Sequence, residues 1–160
     1  MRYLIDGYNL LHAIGLARTY GGRAGWDRAR SQLLDWLADR HGPNANDVTV
    51  ALDAQNARGP GVVSEVHRGL RVMRKLGRSA DDLIEDLVTT ESSPATLTVV
   101  SNDARVRSAA ARRRCPYLKC GEYVDALMSP ARTVGPQPAA EKDESATPEE
   151  IAVWQKAFGG

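Results

Sequence analysis

Cysteine is nearly missing from this chain: Cys115 and Cys120 are the only two, with Pro116 between them and no neighbouring cysteine or histidine pair to complete a zinc site. They read as two reduced, partly buried thiols, which excludes a disulfide scaffold. The three histidines, His12, His41 and His67, are scattered without metal-ligand spacing and read as surface or packing residues. Aromatic residues make up only 6%, so an extended base-stacking surface is not expected, although Tyr8, Tyr20 and Trp26 fall close to the motifs below. No stretch approaches the roughly 20 apolar residues of a membrane span. Tyr3, Leu4 and Ile5 run straight into Asp6 with no basic leader, so the expectation is a cytoplasmic protein with no membrane partner.

Charge of one sign is also lacking, since the net value is +1, but the average conceals an asymmetry. Residues 1–134 hold 19 Lys/Arg against 15 Asp/Glu, and residues 135–160 hold 2 against 5, giving a mildly basic body and an acidic tail. With 160 residues and 42% apolar content, the chain can bury one core but hardly two. The expected organisation is one domain over residues 1–130, then a flexible linker over 131–146 carrying Pro136, Pro138 and acidic residues. A short amphipathic helix over 147–160 follows, opened by the capping sequence Thr147-Pro148-Glu149-Glu150 and bearing Trp154 and Phe158.

Within the body, apolar runs alternate with segments of helical period. Tyr3 to Ile5, Val48 to Leu52, Leu70 to Met73 and Leu97 to Ser101 read as strands, the third weakened by Arg71. Trp26 to Arg40, Asp81 to Thr89, Ala104 to Arg114 and Glu122 to Met128 read as helices; in the first, Ala29, Leu33, Trp36 and Leu37 form one stripe. Strands alternating with helices imply a three-layer α/β architecture around a mostly parallel sheet. Ligands of such sheets bind beyond the carboxyl ends of the strands, where strand order reverses. With the order 3-2-1-4, the first and fourth strands are neighbours.

Those carboxyl ends are where the acids fall. Asp6 closes the first strand, Asp53 the second and Asp103 the fourth, while Asp81 and Asp82 open a helix after Ser79. Capping accounts for one acid at a helix start, not for an adjacent pair with Glu85 and Asp86 one turn later. Gathered acids repel one another and need a cation or a proton to neutralise them. Oxygen-only ligands select a hard cation, so the expected cofactor is Mg²⁺ or Mn²⁺, and the matching chemistry is metal-assisted hydrolysis. Asp53 is the least secure of the set, because the run from Gln55 to Gly61 looks like a long turn that an aspartate could simply initiate.

A polyanionic substrate requires positive charge around such a centre. Arg58 to Arg78 holds six basic residues against the single acid Glu65, and Arg105 to Lys119 holds six against none. Arg78, Arg105 and Arg107 are therefore candidate phosphate contacts, and Gly21-Gly22-Arg23-Ala24-Gly25 reads as a flexible basic loop that adds Arg23. Other uses of the same sheet fit poorly. A phosphatase pattern wants an aspartate where Tyr8 stands, a phospho-receiver wants an acid beside Asp6 where Ile5 stands, and no Gly-x-Gly-x-x-Gly follows the first strand.

Three segments, Tyr3-Leu4-Ile5-Asp6-Gly7-Tyr8-Asn9-Leu10-Leu11, Ser79-Ala80-Asp81-Asp82-Leu83-Ile84 and Val99-Val100-Ser101-Asn102-Asp103, resemble the signatures of the YacP-like NYN domains of the PIN-like nuclease superfamily. The resemblance implies a Rossmann-like PIN fold and a Mg²⁺- or Mn²⁺-dependent endoribonuclease acting on messenger RNA, for bacterial members in association with the ribosome. By motif it makes Asp6, Asp81, Asp82 and Asp103 the metal-binding catalytic acids, with Asn9, Asn102 and Ser101 in support. Asp53 lies outside the three signatures and rests on its strand-end position alone. A catalytically inactive RNA- or ribosome-binding module is the competing expectation.

Overall fold

Residues Arg2–Asp6 form β1, and its burial explains why it sits in the middle of everything else: Leu4 and Ile5 point to opposite faces of the sheet and both are buried. A strand apolar on both sides must be covered on both sides, which is the condition of a parallel sheet between two helical layers. The computed structural model describes residues 1–16, 22–54, 59 and 61–129, with backbone alone for 22–24. The linker over 131–146, the helix over 147–160, Tyr20 and the side chain of Arg23 lie outside the described residues.

The elements in chain order are β1, α1 (Gly7–Ala13), α2 (Gly22–His41), β2 (Val48–Leu52), β3 (Val62–His67), β4 (Leu70–Lys75), α3 (Ala80–Thr90), β5 (Leu97–Val100), α4 (Ala104–Arg112), β6 (Tyr117–Leu118) and α5 (Cys120–Met128). The sheet order is β3-β4-β2-β1-β5-β6. Every pairing is parallel except β3 with β4. The four strands expected from sequence stand in the expected order, with β1 between β2 and β5. Ile5 lies opposite Val50 on one side and Val100 on the other.

One face of the sheet carries α1, α2 and α5, through Leu10, Leu11, Leu33, Leu37 and Tyr123 packed with Ile5, Val50 and Val100. The other carries α3 and α4, through Leu83, Ile84, Val88, Val106 and Ala110 packed with Leu4, Ala51 and Val99. Both cysteines are free and buried, Cys120 in the first layer and Cys115 in the second. Gly7 lets α1 start against the sheet: a Cβ there would meet Leu52 Cδ2 at 2.6 Å and the Ala51 carbonyl oxygen at 3.1 Å.

One local expectation is corrected, and one element is added. Helix α2 begins at Gly22, so Gly22 to Gly25 belong to a helix and not to a flexible loop. An additional strand, β3, adds an antiparallel edge through a two-residue turn in which Arg68 and Gly69 both have positive φ, 48° and 93°. Such a turn matches the twist of the two strands it joins. Residues 55–58 and 60, within the run read as a long turn, lie outside the described residues.

Candidate active site

Asp6 is the last residue of β1 and the N-cap of α1, and it is fully buried. Its side chain survives there because every nearby donor is aimed at it. The Asn9 backbone N–H donates to Oδ1 at 3.3 Å, Asn9 Nδ2 donates to Oδ2 at 2.6 Å, and the Ser101 hydroxyl donates to Oδ2 at 3.1 Å. Burial pushes the Asp6 carboxyl above its ordinary range, and these hydrogen bonds pull the other way. Ser101, itself buried just past β5, also accepts the Asp103 backbone N–H at 3.0 Å. One hydroxyl thus ties together the ends of β1 and β5, the point where strand order reverses.

Asp103 caps α4 by accepting the Arg105 backbone N–H at 2.8 Å. Asp81, from the first turn of α3, lies close enough to Asp6 and Asp103 for both to act on its carboxyl. Burial, then the charges of Asp6 and Asp103, push its carboxyl up to about 7. Carboxylates this close disfavour full ionisation, so the cluster holds on to protons more tightly than three separate aspartates would. Among the described residues, no three acid, histidine or cysteine side chains form a ready-made metal cage. The donor set nonetheless suits a hard divalent cation, because it is all oxygen and gathers negative charge that a cation would neutralise. Asp6, Asp81 and Asp103 are the residues that fit such an ion.

The remaining expected site residues divide by what they touch. Asp82 turns away from the trio: Arg105 Nη2 donates to its Oδ1 at 2.9 Å, Arg78 stands 4.0 Å from its Oδ2, and its carboxyl is held below the usual range chiefly by Arg105. Arg105 also grips Glu85 through Nε and Nη2 at 2.8 and 2.9 Å, so it braces the surface of α3 where a phosphate contact was expected. Asp53 accepts the Ala80 backbone N–H at 2.6 Å, which fixes the start of the helix bearing Asp81. Asn102 accepts the Cys120 backbone N–H at 2.8 Å and so caps α5. Arg107 is half-buried one turn beyond Asp103, and its Nε has no hydrogen-bond partner among the described residues. Of the expected phosphate-binding arginines, it is the one whose guanidinium is not committed to a neighbouring acid among the described residues.

Sequence reasoning identified Ser101 only as support and did not foresee that it bonds both acid-bearing strand ends. Its position directly after a β-branched strand, two residues before an aspartate, was the available signal.

A mostly parallel α/β sheet with acids at its switch point is the arrangement expected of the PIN-like nuclease class. Residues 3–152 match the family model of the YacP-like NYN domain, and the chain belongs to that family. The fold is similar to the crystal structure of a mutant of Rae1 (YacP) from Bacillus subtilis, with a TM-score of 0.63 at 21% identity, covering 80% of this chain and 76% of that one. No curated protein matches the chain. Among the described residues, no helix is long and apolar enough to cross a membrane.

Proposed function

We propose that this protein is a Mg²⁺- or Mn²⁺-dependent endoribonuclease that hydrolyses phosphodiester bonds in single-stranded RNA, with cytoplasmic messenger RNA at the ribosome as its setting. The observation that carries the reading is the meeting of Asp6, Asp81 and Asp103 at the switch point of the sheet, with Ser101 tying the two strand ends together. Carboxylates raised by burial and by one another's charge are neutralised by a proton or by a cation, and a hard divalent ion can take the proton's place.

Asp6, Asp81 and Asp103 hold the ion in this reading. Asn9 and Ser101 fix the orientation of Asp6, and Asp53 sets the position of Asp81 by anchoring the Ala80 N–H. A bound divalent ion supplies a nucleophilic water at neutral pH and offsets charge on the phosphate in flight. Arg107 stands one helical turn from Asp103 to contact the RNA backbone. Cleavage leaves a 5′-phosphate and a 3′-hydroxyl. Asp82 belongs to the ion-paired surface of α3, not to the metal-holding set.

The test is cleavage of end-labelled single-stranded RNA in Mn²⁺ against EDTA, with wild type and Asp81→Asn side by side. Wild type cuts internally only with the metal, and Asp81→Asn loses at least about a hundredfold, the scale on which removal of one electrostatic contributor slows such reactions. Wild-type protein that binds RNA but never cuts it, on or off the ribosome, would leave a binding module in place of an enzyme.

A further inference from the structure

Tyr8 lies between Gly7 and Asn9 in the first turn of α1, two residues from Asp6 and next to the asparagine that orients it. Successive Cα atoms are about 3.8 Å apart, so the Tyr8 backbone is within roughly 8 Å of that of Asp6, a separation one nucleotide can bridge. Tyr8 is 43% exposed on a helix whose Leu10 and Leu11 are buried.

That ring is nevertheless held in place. Trp26 of α2 stacks on it with 5.6 Å between centroids and 12° between planes, and the edge of His12, one turn along α1, approaches it at 4.4 Å. Trp26 in turn packs against the core formed by α1, α2 and the sheet. Tyr8 is therefore braced by Trp26, which is anchored in the core, and by His12, with part of its surface left to solvent two residues from Asp6. A hydrophobic contact between two helices does not need the outer ring to stay exposed. A π-face fixed in advance at a groove that binds nucleic acid is the requirement for stacking a base, which loses little conformational freedom on meeting a rigid ring.

We infer that Tyr8, stacked on Trp26, is a shelf for one nucleobase of a single-stranded RNA, adjacent to the bond that is cut. The inference rests on the endoribonuclease reading of the neighbouring acids and adds to it a subsite that reads an unpaired base by its face. Stacking is tolerant of base identity, so the shelf selects single-stranded over duplex RNA and does not select sequence.

The experiment measures binding of a fluorescein-labelled oligouridylate by anisotropy in EDTA, where no cleavage occurs, for wild type, Tyr8→Phe and Tyr8→Leu. Leucine keeps apolar bulk against Trp26 and removes the π-face, and melting curves of the three proteins establish that all are folded. Tyr8→Phe stays within about twofold of wild type and Tyr8→Leu weakens binding about tenfold, a change of about 1.4 kcal/mol. The oligonucleotide is then replaced by a series with a single abasic residue moved along it. At one position the abasic RNA weakens wild type to the level of Tyr8→Leu and weakens Tyr8→Leu no further. Tyr8→Leu binding as tightly as wild type, or losses that add at every abasic position, would overturn the shelf. Wild-type cleavage in Mn²⁺, run on the same preparation, separates the two failures: a nuclease indifferent to Tyr8→Leu loses only the shelf, and a protein that neither binds nor cuts RNA loses the enzyme reading as well.

Discussion

At the scale of single residues, the site shows how one aspartate can serve the backbone and the chemistry together. Asp103 accepts the Arg105 N–H as a helix cap and also presses its charge on Asp81. The two duties separate by substitution. Asn caps a helix about as well as Asp, whereas Ala forfeits about 1 kcal/mol. Asp103→Asn should therefore lose at least about a hundredfold in Mn²⁺-dependent cleavage with an unchanged or raised melting temperature, because the cap stays and a repelling charge goes. Asp103→Ala should lose comparable activity and also melt earlier. Equal losses of stability in both would mean that capping is the whole role of Asp103. The sequence left Asp81 and Asp82 unresolved, since adjacent positions in the first turn of a helix differ only in direction. The direction is set chiefly by a long-range partner, Arg105, 23 residues beyond Asp82 in the chain, with Arg78, four residues before Asp82, as a weaker local contributor.

At the scale of elements, the helix that delivers Asp81 is positioned from its first residue. Ser79 accepts the Asp82 N–H, and Asp53, reaching across from the end of β2, accepts the Ala80 N–H. Strand-end logic from sequence placed Asp53 near the site as a supporting residue without a defined role; its bond to the Ala80 N–H makes it an anchor of α3 where a ligand was the other option. The distinction is testable because an anchor needs only an acceptor oxygen, while a ligand to a divalent cation needs charge. Asp53→Asn keeps the acceptor and should cleave within a few-fold of wild type. Asp53→Ala should need several-fold more Mn²⁺ to reach half-maximal cleavage, with a stability loss of about 1 kcal/mol for the missing hydrogen bond. If Asp53→Asn is as damaged as Asp53→Ala, Asp53 acts by its charge. The same scale shows where pattern reading stops. β1, β2, β4 and β5 announce themselves as apolar runs, and α3 by its stripe of Leu83, Ile84 and Val88. β3 is exposed along almost its whole length and turns at Arg68-Gly69 instead of at an Asn-Gly or Asp-Gly pair, so neither burial nor turn chemistry marks it.

At the scale of the whole molecule, the crowded acids make stability depend on pH and metal in a way that can be signed in advance. The folded Asp81 carboxyl is raised to about 7 from an ordinary value of 3.8, so the folded state holds a proton that the unfolded chain gives up. Its contribution to stability is fully present below about pH 4 and drains away as pH rises toward 7, because the unfolded state then binds fewer protons than the folded one. Burial lowers the His41 pKa, which makes stability rise with pH up to its unfolded value of about 6.5. That slope is common to wild type and to Asp81→Asn, so the difference between the two proteins reports the coupled titration of the Asp6-Asp81-Asp103 cluster. In EDTA, the melting temperature of Asp81→Asn should gain on that of wild type between about pH 5 and about pH 8. Mn²⁺ at about a hundred times its dissociation constant should then stabilise wild type at the higher pH by about 2.7 kcal/mol. It should do far less at the lower pH, where the proton competes for the same oxygens, and far less for Asp81→Asn at either. Parallel melting curves for the two proteins across this range, with no response to Mn²⁺ in wild type, would mean that Asp6, Asp81 and Asp103 neither share a proton nor hold a cation, and the hydrolytic reading would lose its physical basis.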